Sequence, residues 1–389
     1  MKRTRVKRHS GLGRGADKLI RLATGLAESG CRLEARYWAQ QLDQLIDELL
    51  QNDEETTLNA TLDHIYHTHD GAYEILANHI ESRAESTSRP ETGQDILLIA
   101  APVLAWSRYR IPTAAIPSAV LANLRSHLKA HVLADNVNIA LADVLFSPDQ
   151  LPQGYCPTAA FTALLGQAAQ DNLNLHIDPN TLAETSLFLS DTRYLLAAIV
   201  IEKNAPVFRW QDHQGNRTHA LTQWRNQASA CLSPLLPGCA LEVVLPEAYF
   251  AASRAADNAS RPYAVRASVA FLSTTLGAPA SELRAVIAPF YERQLEEYRI
   301  GFTLSGKNDV VHGIVWPLLG AEDDIEEDPN RIEMVLRECG VSDILRLEHR
   351  FPLEYCDDCG APLYPSPEGE MVHAEMPDEH TESAPPHLH

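Results

Sequence analysis

Long apolar runs are missing from this chain of 389 residues. None reaches the ~20 residues that cross a bilayer, so no helical membrane span is expected. An apolar h-region is also missing after the basic start Met1-Lys2-Arg3-Thr4-Arg5-Val6-Lys7-Arg8-His9. That argues against a secretory leader, and without export the Asn-x-Ser/Thr triplets at Asn59, Asn216 and Asn258 carry no glycosylation meaning. Cysteine is sparse: seven residues, an odd number scattered along the chain. This excludes a disulfide framework and fits the reducing cytoplasm. Base is short relative to acid, with 32 Lys and Arg against 52 Asp and Glu, a formal net charge of −20. A nucleic acid is therefore not expected as the main partner, because phosphate binding needs a basic face.

Familiar catalytic signatures are missing too. There is no G-x-S-x-G elbow, no H-E-x-x-H pair and no kinase set. Gly11-Leu12-Gly13-Arg14-Gly15-Ala16 has the form of a dinucleotide fingerprint, but a basic tail precedes it where a strand is required. Gly301-Phe302-Thr303-Leu304-Ser305-Gly306-Lys307-Asn308 has the form of a P-loop. Asn308 stands where magnesium needs a hydroxyl, and strand-like residues flank the run, so a hairpin turn is the better reading.

What is present is ordinary for a soluble globular protein: 45% hydrophobic and 22% charged residues, long enough for several domains. Residues 1–14 carry Lys2, Arg3, Arg5, Lys7, Arg8 and Arg14 and no acid. They read as a disordered arm, dispensable for folding, with RNA or an acidic partner as its alternative use. Residues 15–90 read as a helical domain. Its clearest stripe is Trp38, Leu42, Leu45, Ile46 and Leu49, and Leu58, Leu62, Ile65 and Tyr73, Leu76, Ile80 suggest two more. His64 and His67 share a face of that third helix, a pattern better explained by a solvated helix end than by a metal. Glu85 to Gly93 reads as a linker.

Strand and helix patterns then alternate. Ile96 to Ala101 is a continuous apolar run typical of a buried strand. Residues 95–235 are expected to form a first α/β unit and 236–355 a second. The second opens with a strand at Leu241–Leu245, followed by a helix begun by Pro262 and capped by Gly277. Its element order suggests the split βαβ plait of ferredoxin-like folds, and the first half fits the same template with an inserted helix. The expected fold class is thus α/β (α+β): a helical domain, two ferredoxin-like plait units and a C-terminal metal knuckle and acidic tail over 356–389.

Two groups of residues carry candidate chemistry. Arg108, Tyr109 and Arg110 follow the first apolar strand, and loops beyond strand ends commonly hold ligands. Two arginines with an aromatic between them suit a carboxylate or phosphate. Arg299, in a later strand, is a second candidate for that face. The other group is Cys356-Asp357-Asp358-Cys359-Gly360. Its C-x-x-C spacing lets two thiolates share one metal, and Gly360 can take the tight turn. A redox pair should sit at a helix N-terminus, and Gly360, Pro362 and Pro365 disfavour a helix there. Zinc needs two further ligands. His373, His380, His387 and His389 lie downstream, and His387 with His389, at the end of a tether, is the expected pair.

Four stretches carry a resemblance: Gly25-Leu26-Ala27-Glu28-Ser29-Gly30 with Arg32-Leu33-Glu34; Ala101 to Tyr109; His312 to Gly320; and Cys356 to Pro365. On these the chain resembles an uncharacterised bacterial family of unknown function, over nearly its whole length. The resemblance implies a soluble bacterial protein and supplies no activity or site residue. The function expected from the residues is a cytoplasmic, non-enzymatic binding or regulatory protein with a structural zinc, its ligand a small anion or a protein partner, with homo-oligomerisation possible in principle. The alternatives are an enzyme acting on an anionic small molecule at Arg108 and Arg110, and a nucleic-acid role for the basic arm.

Overall fold

Apolar periodicity sets the first four helices. The structure, a computed structural model, describes residues 12–89, 91–107, 111, 115–185, 190–211, 215–319 and 327–376. Helices α1 (Arg14–Ala27), α2 (Arg32–Gln51), α3 (Glu55–Tyr66) and α4 (Asp70–Glu85) pack around Leu19, Leu42, Ile46, Leu58, Ile65 and Leu76. The stripe expected on α2 is the buried one, with Trp38 partly covered at its edge. Gly25 of α1 lies under that indole, where an added Cβ would stand 2.9 Å from the ring. Helix α1 begins at Arg14, so the last residue of the expected basic arm is helical; residues 1–11 lie outside the described residues.

The chain then enters a sheet directly. Strand β1 (Ser86–Arg89) forms a hairpin with β2 (Gln94–Trp106), so the expected linker is a strand at its centre. Polar composition misleads here because β1 is a half-exposed edge, and Gly93, at φ 65°, makes the turn. There follow α5 (Ser118–His131), β3 (Asn138–Phe146), α6 (Tyr155–Gln170), β4 (Ser190–Glu202), α7 (Arg217–Leu232), β5 (Ala240–Val243) and β6 (Glu247–Ala248). The sheet runs β1–β2–β4–β3, and β5 and β6 share with β1 the outer edge of β2. All its pairs are antiparallel. Strand β2 is buried on both faces, which explains its unbroken apolar run. Ile99, Ala101 and Val103 meet α5 and α7, while Ile96, Leu98 and Ala100 meet α6 and the next helix.

That helix, α8 (Tyr249–Leu276), is longer than the sequence suggested, and Pro262 lies inside it. The run from Ala251 to Ser260 is rich in Ala, a strong helix former, but carries no apolar stripe of large side chains. Its first half puts Tyr249, Ala252 and Ala256 on the first sheet, and its second half puts Val265, Val269 and Leu272 on a second sheet. Gly277 ends it in a left-handed conformation, φ 63°, as expected.

The second sheet contains β7 (Leu283–Tyr291), β8 (Leu295–Leu304) and β9 (His312–Pro317) as an antiparallel meander. Helix α9 (Asp328–Glu338) then crosses to β10 (Asp343–Arg346), parallel to β7, and β11 (Phe351–Pro352) extends that edge. The order is β10–β7–β8–β9. The strand near 241, expected to open this second unit, pairs instead with β2 of the first sheet. The second sheet therefore lacks the leading strand of the expected plait. Helices α8 and α9 cover one of its faces. A last hairpin, β12 (Tyr364–Pro365) with β13 (Met371–Val372), closes the described chain.

Acids of the helical unit dock it onto the α/β body. The Glu55 carboxylate accepts from the amides of Tyr155, at 3.1 Å, and Cys156, at 2.7 Å, at the start of α6. Glu85 accepts from the Phe250 amide, at 2.9 Å, at the start of α8. Each carboxylate meets the positive end of a helix. Arg254 of α8 holds Glu81 through both its oxygens, at 2.8 and 2.7 Å. Burial raises the Glu85 carboxyl to about 7; the Phe250 amide opposes the shift, neighbouring Glu81 adds to it and Arg254 counters. Between the ordinary carboxyl range and about 7, the folded chain holds more of this proton than the unfolded chain does, so stability falls as pH rises through that window. Glu85→Gln keeps an acceptor and cannot ionise. Its melting temperature should exceed that of the parent near pH ~8 and converge with it near pH ~4. An equal offset at both values would remove the assignment.

Candidate metal centre

The second sheet has a face that its helices leave uncovered. Residues alternate across a strand, so Tyr298, Ile300 and Phe302 of β8 point into the helical core while Arg299, Gly301 and Thr303 point the other way. The segment after β11 lies on that side. Gly301 pairs with Gly313 across β8 and β9. A Cβ on Gly301 would stand 2.2 Å from the Pro365 carbonyl oxygen, and one on Gly313 would stand 2.3 Å from the Tyr364 ring. The two glycines together form a notch for the start of the last hairpin. Burial there pushes the Tyr364 hydroxyl up to about 12.

Arg299 holds the same segment by its backbone. Nη1 donates to the carbonyls of Glu354, at 2.7 Å, and Leu363, at 2.8 Å. Nε donates to Glu297 at 2.6 Å, and the guanidinium stacks 4.3 Å from the Phe290 ring centre and 5.1 Å from that of Tyr355. Its side chain has no exposed surface. Arg299 is expected on an anion-binding face; it instead faces inward, with its charge and its Nε and Nη1 donors engaged by the chain's own groups.

Between the two clipped carbonyls lies the C-x-x-C turn. Tyr355 bridges Pro362 as a short antiparallel pair, and the Cys356 amide donates to the Ala361 carbonyl at 2.7 Å. The Gly360 amide returns to the Cys356 carbonyl at 2.8 Å, and Gly360 takes φ 73°, the left-handed turn expected of it. The backbone amides of Cys359 and then Asp358, with the Cys359 side chain, hold the Cys356 thiol below its ordinary range. Amides aimed at sulfur favour thiolate, the form that binds metals.

The hairpin supplies the third group. Ser366 to Gly369 makes a turn, with the Gly369 amide on the Ser366 carbonyl at 3.0 Å and Gly369 at φ 81°. β13 then returns the chain to the turn, and His373 follows it directly. Its Nε2 stands 3.2 Å from Cys359 Sγ, and one ligand atom each from Cys356, Cys359 and His373 lie within 4.8 Å of one another. In tetrahedral coordination a sulfur and a nitrogen are about 3.6 Å apart, so the Cys359–His373 pair is within a few tenths of an ångström of that spacing. The Glu375 carboxylate is 3.7 Å from His373 Nδ1, the place of an outer partner that orients a ligating imidazole. This cluster could hold a metal ion.

The sequence thus placed two of the three clustered residues. His373 was among the four downstream histidines, but the terminal pair was preferred. The missed signal is the turn Ser366-Pro367-Glu368-Gly369, with Met371-Val372 after it, which reads as a hairpin and sends His373 back toward the cysteines. His387 and His389 lie outside the described residues, as do Arg108, Tyr109 and Arg110.

The chain matches, over residues 4–388, the family described as a protein of unknown function (DUF2863), and belongs to it. No curated protein and no solved structure matches it.

Two substitutions test the seating of this segment. Arg299→Met should cost about 1–3 kcal/mol in denaturant unfolding, because half-buried Glu297 loses its partner and two carbonyls lose their donor. A loss under about 0.5 kcal/mol, the range of ordinary surface changes, would show that the clip is idle. Gly313→Ala meets a ring and not a flexible chain end, so overpacking should cost about 1–3 kcal/mol and raise protease cutting after Tyr355. Unchanged stability and cutting would mean that the notch does not fix Tyr364.

Proposed function

We propose that this member of the family is a non-enzymatic binding or regulatory protein whose C-terminal segment is fixed by one structural zinc ion, held by Cys356, Cys359 and His373. The observation that carries the reading is the convergence of these two sulfurs and one imidazole nitrogen within 4.8 Å. Thiolate with imidazole is a donor set that suits zinc, and structural zinc is nearly always four-coordinate. The fourth ligand comes from an imidazole of the tail: His380, or one of His387 and His389. A redox role fits less well, since the C-x-x-C pair occupies a turn and no helix begins at it. The cysteines are all unpaired, in keeping with a reducing cytoplasm. The first sheet, whose strands from β2 to β5 run in the order β5–β2–β4–β3, supports a ferredoxin-like plait in that half. Fold analogy does not choose its ligand.

Elemental analysis of untagged protein tests the metal. We expect about one zinc per chain, lost in Cys356→Ser and in His373→Ala. Acid should release it, since thiolates and imidazole take protons. Protein that stays metal-free after zinc loading and desalting sinks the proposal. Deletion of residues 387–389 locates the fourth ligand: weakened retention assigns it to the terminal pair, and full retention moves it to His380.

A further inference from the structure

A second site lies where β4 passes to α7, and it does not depend on the metal centre. A bowl of about 760 Å³ opens between the end of α5, the end of β4 and the start of α7. Its chemistry comes from His131, Asp135, Glu202, Arg209, Asn216 and His219. We propose that this bowl binds a compact multivalent oxyanion, a phosphate or a polycarboxylate, through the Arg209 guanidinium and the imidazoles of His131 and His219.

Three observations carry it. Arg209 is built into the wall: Nη2 donates to the Lys129 carbonyl at 2.9 Å and to Asp135 at 3.0 Å. Its Nε is enclosed and has no acceptor. A buried guanidinium N–H without a partner is costly, so the chain's own groups leave this guanidinium short of acceptors. Next, the carboxylate now paired with Arg209 is held loosely. Asp135 is 82% exposed, and ion pairs of that kind contribute little, so a bound oxyanion can displace it. Finally, positive groups are gathered here in a chain of formal net charge −20. Burial, followed by His127, Arg209 and His219 as positive neighbours, holds the His131 imidazole below its ordinary range. Such neighbours repel one another until an anion joins them. Among the described residues, the acids facing the bowl are Asp135 and Glu202, both at its exposed rim. The N-terminal end of α7, already capped by Asn216 Oδ1 accepting from Thr218 and His219, adds positive potential from below. Pockets of this size with a few convergent polar groups commonly bind small molecules.

Calorimetric titration of the full chain with inorganic phosphate and with citrate, against chloride at matched ionic strength, tests this. Saturable heat is expected from at least one of the two anions and none from chloride, and the tighter binder assigns the ligand class. Arg209→Gln should weaken the affinity about tenfold, as for loss of one charge-assisted contact. His219→Gln should weaken it several-fold. His219 is exposed in the first turn of α7, so this second variant keeps the fold and decides the matter if Arg209→Gln is unstable through loss of its tie to Lys129. Absence of saturable heat with both anions, or affinities unchanged in every variant that folds, overturns the proposal.

Discussion

A sheet that buries one face under helices must find a cover for the other. Helices α8 and α9 cover the second sheet on one side only. Among the described residues, its other side is covered by the irregular segment that carries Cys356, Cys359 and His373. Irregular backbone brought close to a sheet hides carbonyls from water, and hidden carbonyls need donors. Arg299 supplies two of those hydrogen bonds from within β8, which explains a guanidinium at a position the strand pattern buries. The Gly301–Gly313 pair lets the segment come close enough to exclude water. The notch, the clip and the C-x-x-C turn are three consequences of one uncovered face.

Helix α8 is the other long-range constraint. Its first half belongs to the core of the first sheet and its second half to the core of the second. Near its middle, Tyr263 packs with Leu104 and Trp106 of β2, and Trp106 in turn meets Phe271 at 5.1 Å between ring centres. Buried Arg261 beside Pro262 donates to the Pro317 carbonyl at 3.2 Å and stacks on Trp316, tying the helix to the end of β9. One helix thus joins both sheets, while Glu85 anchors the helical unit to its first turn.

Much of this was legible from the residues. The stripe on α2, the buried character of β2, the glycine cap at Gly277 and the turn at Gly360 each rest on a local rule, and each holds. What failed was non-local. The strand near 241 looks the same whether it opens a second unit or closes the first; only its pairing with β2 decides. Pro262 was read as a helix start because the alanines before it carry no apolar stripe, although alanine can pack closely without one. In sequence Arg299 is a candidate for the same anion-binding face as Arg108 and Arg110, and the structure encloses it instead. Two of its acceptors are carbonyls 55 and 64 residues further along the chain, and no local pattern announces them.

The same reasoning bears on the metal proposed at Cys356, Cys359 and His373. The closing strands β12 and β13 have two residues each, and a hairpin that short has little stability of its own. Tyr364 anchors one strand in the notch, and β13 leads from the turn to His373. A cross-link from the C-x-x-C turn to His373 closes a loop from Cys359 that contains the whole hairpin. Closing such a loop removes conformational freedom from the unfolded chain, and metal binding then contributes to folding directly. Arg299 grips Glu354 before Cys356 and Leu363 after Cys359, so it fixes both flanks of the turn and leaves the thiols free to point outward. The clip secures the base of the segment, and a metal in the proposed cluster would secure its tip. Neither reaches the part that the other would hold, so the two restraints would act on a segment of little regular structure from opposite ends.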